Sequence, residues 1–260
     1  MKRRCSVALG QMAGVIGDVR HNLRRAEEMI AEAGQQGADM ICLPELFATG
    51  YNLNMLGEDI LHLSRAHYQE IHTRMAGAAA KSGIYVIAPY GLPQPDGRVH
   101  NAASVYTPNG ELLGRYAKAR AFGGERHYFA NGEDFPVFDT AFGRMGILIC
   151  YDAGFPEFAR ALCNAGAELI VIPAAWRIQD IHSWMLNVPS RALENQLFTV
   201  GVNRAGKEGD LHLFGRSLVC DPWGRIQKQL PDDKDCVETA CIDLADVARC
   251  RAEGGYLQDL

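Results

Sequence analysis

The stretch Gly146-Ile147-Leu148-Ile149-Cys150-Tyr151-Asp152-Ala153-Gly154-Phe155-Pro156-Glu157 decides how the chain reads. Its aliphatic run has the length and composition of a buried strand. Pro156, with a fixed φ that suits a first helical position, marks where a helix begins. Between the two, Cys150 falls on a turn that contains Gly154. A thiol there is held out at the mouth of a sheet, beside main-chain N–H groups that can face the charge formed when sulfur attacks a carbonyl carbon. Cysteine is also among the most buried residue types, so such a position taken alone is more often a packing site. Only partners elsewhere in the chain give it chemistry.

With 260 residues, 48% of them hydrophobic, the chain is long enough to bury a substantial core. No Pro/Ser-rich linker, low-complexity tract, block of like charge or fixed-period repeat divides it, which predicts one domain over 1–260. Lys and Arg number 26 against 31 Asp and Glu, and the formal charge of -5 argues against nucleic acid or a membrane surface as partner. A small molecule fits better. Met1-Lys2-Arg3-Arg4 and the apolar residues behind it imitate a secretory signal, yet Gln11 and the Gly-rich stretch to Gly17 cut the apolar run short, so it reads as a first strand. No run approaches the roughly 20 apolar residues that span a bilayer. The eight cysteines are scattered without Cys-x-x-Cys spacing in a chain that needs no disulfide staples, which points to a reducing cytoplasm.

Working outward from Cys150, a strand over Val7–Leu9 precedes a helix capped by Asp18, and Met40–Leu43 is a strand running into Pro44-Glu45. An Ala-rich helix is expected over 66–81, closed by Gly83, with a strand over Tyr85–Pro89. Asn101–Tyr106 and Leu112–Tyr116 flank Thr107-Pro108-Asn109-Gly110-Glu111 as a hairpin whose second arm leads to Lys118. Further strands are expected at Phe135–Phe138, Met145–Ile149, Leu169–Pro173, Phe198–Val202, Ser217–Cys220, Arg225–Gln229 and Val237–Ile242. Helices follow Pro156 and run through Ser190–Asn195. So many strands, mixed with helices and hairpins, predict an α/β fold: a four-layer α-β-β-α sandwich with two mixed sheets.

Three strands thus lead to Glu45, Lys118 and Cys150, each where a turn begins, and strand-end loops are where a rigid scaffold presents reactive groups. Leu43-Pro44-Glu45 with Gly50-Tyr51, Gly114-Arg115-Tyr116-Ala117-Lys118, and the Cys150 stretch together resemble the nitrilase superfamily of carbon–nitrogen hydrolases, in its amidase-like branch. The similarity takes in Arg191-Ala192-Leu193-Glu194-Asn195 and Asp221-Pro222-Trp223-Gly224 and covers almost the whole chain. It implies a Glu45-Lys118-Cys150 triad. Glu45 is then the base that deprotonates the thiol, Lys118 and the Tyr151 N–H stabilise the oxyanion, and a Cys150 thioester is hydrolysed by water that Glu45 activates. Glu125 matches a second carboxylate of amidase members that positions substrate and reacting groups. No metal or organic cofactor is implied. The resemblance also implies a homodimer or larger homo-oligomer. One departure stands out: relatives often carry His two positions after the lysine, where this chain has Arg120.

Tyr51, Tyr151, Phe155 and Trp176 are candidate substrate-binding residues, with His127 and Trp184 as further candidates for the pocket wall; such aromatics are as often core residues. His62, His67 and His72 recur every five residues, which places no two on one helix face and gives no metal site. The expected activity is hydrolysis of a small aliphatic carboxamide to carboxylate and ammonia. An N-carbamoyl amine or amino-acid amidohydrolase is the alternative, then a nitrilase. From other classes, a catalytically idle scaffold on the same fold and a redox protein stay open. The membrane acyltransferase use of the triad is disfavoured by the lack of spanning segments.

Overall fold

Val7 and Leu9 of the first strand, β1 (Arg4–Gln11), face one apolar cluster while Ala8 between them faces another. That is the period-two signature of a strand covered on both sides. The computed structural model describes residues 3–259; Met1, Lys2 and Leu260 lie outside the described residues, and with them the start of the basic N-terminal cluster.

The first half of the chain continues with α1 (Val19–Gln35), β2 (Met40–Cys42), α2 (Leu53–Leu56), α3 (Asp59–Ser82), β3 (Tyr85–Pro93), β4 (Val99–Tyr106) and β5 (Leu112–Ala117). The second comprises β6 (Val137–Asp139), β7 (Arg144–Ile147), α4 (Pro156–Asn164), β8 (Leu169–Ala174), α5 (Ile181–Asn195), β9 (Phe198–Asn203), β10 (Ala205–Glu208), β11 (Leu211–Phe214), β12 (Leu218–Cys220), β13 (Ile226–Gln229), β14 (Cys236–Asp243) and α6 (Ala245–Ala252). One sheet has the order β14-β1-β2-β3-β4-β5 and the other β13-β12-β9-β8-β7-β6. Read from β14 and from β6, both run through the same succession of pairings: antiparallel, parallel, parallel, antiparallel, antiparallel.

Val7, Leu9, Met40, Cys42, Ile87 and Val105 of the first sheet join Ile147, Val171 and Val200 of the second in one core. Ala8, Ile41, Val86 and Ala88 turn the other way, onto Leu23, Ala26, Met29 and Ile30 of α1 and Ile71, Met75 and Ala79 of α3. On the far side Leu162 of α4 and Trp184 and Val188 of α5 cover the second sheet. At Gly201 a side chain would meet Trp184 at 2.7 Å, so the missing Cβ is what admits the indole. The order is helices, sheet, sheet, helices: the expected four-layer sandwich with two mixed sheets. No helix among the described residues is long and apolar enough to cross a membrane.

Two helices start earlier than their sequence pattern suggests, for a common reason. Glu58 precedes α3 and Asp180 precedes α5, but neither caps its helix with a side-chain hydrogen bond, so no start signal is written there. The β10–β11 hairpin and α6 also escape the pattern. The hairpin arms are four residues each, and α6 buries only Val247 and Cys250.

Candidate active site

Beyond the end of β7 the chain stays extended, with the Leu148 N–H on the Val171 carbonyl at 3.0 Å. It then turns abruptly at Cys150, which opens a single 3-10 turn, Cys150–Gly154, with φ +52°. An L-residue in the left-handed region costs on the order of 1–3 kcal/mol and persists only where its surroundings fix it. Here Asp152, fully buried, does the fixing. Its Oδ2 accepts the Ile149 N–H at 3.2 Å, the Tyr116 hydroxyl at 2.7 Å and the Ala119 N–H at 3.2 Å, while Oδ1 accepts the Arg120 N–H at 2.9 Å. One carboxylate therefore ties the turn before Cys150 to the segment just after Lys118.

Glu45 sits three residues past β2 and is followed by Leu46, also left-handed at φ +47°. Buried Arg204 clamps this bend, donating to the carbonyls of Glu45 (3.3 Å) and Leu46 (3.2 Å) and pairing with Glu208 at 2.5 Å. Glu208 in turn accepts the N–H groups of Tyr51 (2.7 Å) and Asn52 (2.8 Å). Lys118 directly follows β5, its N–H on the Asn101 carbonyl at 2.8 Å, and Asn101 Nδ2 donates to Glu45 Oε1 at 2.7 Å.

These scaffolds bring the charged groups together. Lys118 Nζ donates to Glu45 Oε1 at 2.7 Å and to both Glu125 oxygens at 2.8 Å, with Lys118 2% and both carboxylates 0% exposed. Tyr51 Oη donates to Glu125 Oε1 at 2.5 Å. Glu45 Oε2 is buried without a formed hydrogen bond. The Cys150 thiol faces this carboxylate closely enough to lower its pKa, short of hydrogen-bond geometry.

Burial raises the Cys150 thiol well above its usual range, and the Glu45 charge raises it further against the opposing pull of Lys118. The resting sulfur is thus a thiol. Burial likewise raises Glu45, partly offset by the Lys118 ammonium. For Lys118 burial disfavours the charge, but Glu125 and Glu45 outweigh it and hold the ammonium well above its usual range. Tyr51, raised by burial and by Glu125, stays a neutral donor. A neutral thiol beside a buried carboxylate and a fixed ammonium is an arrangement for base-assisted attack on a polarised carbonyl.

Cys150 opens into a cavity of about 130 Å³ walled by Tyr51, Phe122, Tyr151 and Trp176, with Arg177, Asp180 and Ser183 also on its lining. That is close to the ~150 Å³ apolar cavity that holds benzene, so the space suits a short acyl chain. The family model described as carbon-nitrogen hydrolase matches residues 6–252. The chain belongs to the carbon–nitrogen hydrolase family. Among its relatives are a nitrilase of Pyrococcus abyssi, 37% identical with 92% of this chain and 89% of the relative covered, and a 2-oxoglutaramate amidase of Bacillus subtilis, 31% identical with 94% and 93% covered. An amidase of the nitrilase superfamily from Nesterenkonia AN1 superposes with a TM-score of 0.87 at 29% identity, over 98% of this chain and 94% of its own. A variant of that amidase carries a covalent acetamide addition at its active-site cysteine.

In this carbon–nitrogen hydrolase Tyr51, Tyr151 and Trp176 line the Cys150 cavity, and Phe155 does not. Extended before Pro156, Phe155 packs on Tyr151 and Phe158, each at 5.1 Å, behind the cavity wall. Trp184 is fully buried with its indole N–H on the Arg216 carbonyl at 2.9 Å, and His127 is exposed. Arg120 turns away from Lys118 to stack over Phe158 at 5.2 Å, which explains how the chain accommodates it. Sequence reading missed Asn101, Arg204 and Glu208, and gave Asp152 no role. A polar residue inside an apolar strand is the signal at Asn101; a buried Arg four residues before a Glu carries none.

Proposed function

We propose that this carbon–nitrogen hydrolase is an amidase that converts a small aliphatic carboxamide to carboxylate and ammonia through a Cys150 thioester. The observation that carries the reading is the Lys118 ammonium bridging Glu45 and Glu125 beside the cavity-facing thiol. As sulfur attacks the carbonyl carbon, Glu45 takes the thiol proton and the carbonyl oxygen becomes an oxyanion. In this step the Glu45 carboxylate gives up its negative charge. After attack Glu45 is neutral and the oxyanion carries the charge, so the total is unchanged. Charge moves within the buried site without being created there.

All three Lys118 N–H bonds are committed in the free enzyme. Glu125 Oε1 is served by both Lys118 and Tyr51, so Lys118 can transfer that one bond to the oxyanion and leave neither Glu125 oxygen without a partner. The Tyr151 N–H is the second donor of the proposal. Glu45 then returns its proton to nitrogen, the C–N bond breaks and ammonia leaves. Water attacks the thioester with Glu45 again taking the proton, the C–S bond breaks, and Glu45 protonates the departing sulfur.

The cavity size favours a short carboxamide over a bulky N-carbamoyl amino acid. A panel of amides, carbamoyl compounds and nitriles tests the reading through ammonia release and intact mass. Turnover of a short amide, with an acyl adduct stalled on Glu45→Gln and absent from Cys150→Ala, is the expected result. Absence of both turnover and adduct points to the idle scaffold. The same proposal includes a cytoplasmic homo-oligomer, checked by fractionation and light scattering.

A further inference from the structure

The outer part of the Cys150 cavity differs from its aromatic inner wall. Arg177 and Asp180 pair there, Nε to Oδ2 at 2.7 Å and Nη2 to Oδ2 at 2.6 Å, with side chains 36% and 34% exposed. Both contacts converge on Oδ2, leaving Asp180 Oδ1 and Arg177 Nη1 without a protein partner among the described residues. The guanidinium lies 5.2 Å over the Phe122 ring, and a bridge to Leu213 pins the Arg177 main chain. Asp180 occupies the N-cap position of α5 yet makes no capping bond, although Asp is among the strongest capping residues. The carboxylate is turned to Arg177 at the cavity instead. Breaks of a local rule of this kind concentrate at functional positions.

We propose that the Arg177–Asp180 pair selects amides whose far end is an α-ammonium carboxylate, that is, short α-amino acids carrying a side-chain carboxamide. The inference rests on the amidase reading. The reacting carbonyl would lie at Cys150, the short methylene chain against the aromatic wall, the carboxylate on Arg177 Nη1 and the ammonium on Asp180 Oδ1. Charge balance chooses this class. The rim pair is neutral, so a lone carboxylate meets Asp180 and a lone ammonium meets Arg177. A dipolar head alone complements both members.

The test compares L-asparagine and L-glutamine with succinamate, glutaramate (carboxylate only) and butyramide (neither group) on the full chain. Wild-type kcat/KM is expected to favour an amino-acid amide over its carboxylate-only analogue by about tenfold or more, the scale of one charge-assisted hydrogen bond. Arg177→Gln and Asp180→Asn should each raise KM for the amino-acid amide about tenfold more than KM for butyramide, with the change in KM and not in kcat. Arg177→Lys should restore part of the loss, and Asp180→Asn should improve glutaramate. Preference for glutaramate or butyramide in the wild type, or an equal KM rise for every substrate in the variants, overturns the inference while leaving the amidase reading standing. No hydrolysis of any amide and no Cys150 adduct would sink both.

Discussion

Replacing Asp152 by Asn separates the fold from the site it positions. In the native chain Oδ2 takes three donors and Oδ1 takes the Arg120 N–H. The least disruptive amide orientation keeps oxygen toward the three donors and turns NH2 against the Arg120 N–H. One charge-assisted bond is then lost, a buried N–H is left unpaired and the remaining three bonds lose their ionic character, while burial, which raises the Asp152 pKa, no longer opposes a charge. These opposing changes leave a destabilisation of about 3 kcal/mol. The activity effect is larger in consequence, because the affected N–H groups lie next to Cys150 and Lys118. A relative shift of about 1 Å between sulfur and ammonium lowers kcat about 100-fold. Urea unfolding and ammonia-release kinetics measure the two effects, with Tyr116→Phe as the control: it removes one neutral donor, should cost about 1 kcal/mol, and should leave kcat within a few fold. If Asp152→Asn loses the stability but keeps kcat within about threefold of wild type, the coupling between the Cys150 turn and Lys118 is refuted.

Glu125→Gln should move the acid limb of the kcat/KM profile to lower pH, since Glu125 helps raise Glu45 and the base must be ionised to act; kcat should fall at least about tenfold, and an acid limb that stays put or rises contradicts the assignment. Tyr51→Phe strips the second donor from Glu125 Oε1, so transferring a Lys118 bond to the oxyanion becomes costly and kcat should drop about tenfold with little change in fold stability. Gly132→Ala would set a Cβ 2.3 Å from the Ala117 carbonyl beside Lys118, which should cost about 3 kcal/mol and much of the activity. Gly124→Ala, which meets nothing within 4 Å, should stay within about 0.5 kcal/mol of wild type when both variants are unfolded in urea.

The aliphatic run before Cys150, the Pro156 helix start and the two turn-flanked hairpins were legible in the sequence because each is a local rule: periodicity, a fixed φ, a turn residue. The same locality explains the misses. The early starts of α3 and α5 carry no capping bond, and Phe155 shares its aromatic character with Tyr151 while pointing behind the wall instead of into the cavity. Sequence by itself singled out Glu45, Lys118, Glu125 and Cys150 as the candidate side chains for chemistry and placed three of them after strand ends. Tertiary structure alone decided that Lys118 bridges the two carboxylates, that Asp152 joins the turn of Cys150 to the strand of Lys118, and that Arg204 and Glu208 hold the Glu45 bend. Apart from the local Ile149–Asp152 and Arg204–Glu208 bonds, those contacts join residues from 7 to 159 positions apart in the chain. Hydrogen bonds and ion pairs at such separations depend on how the two sheets stack, a property of packing that no local pattern records.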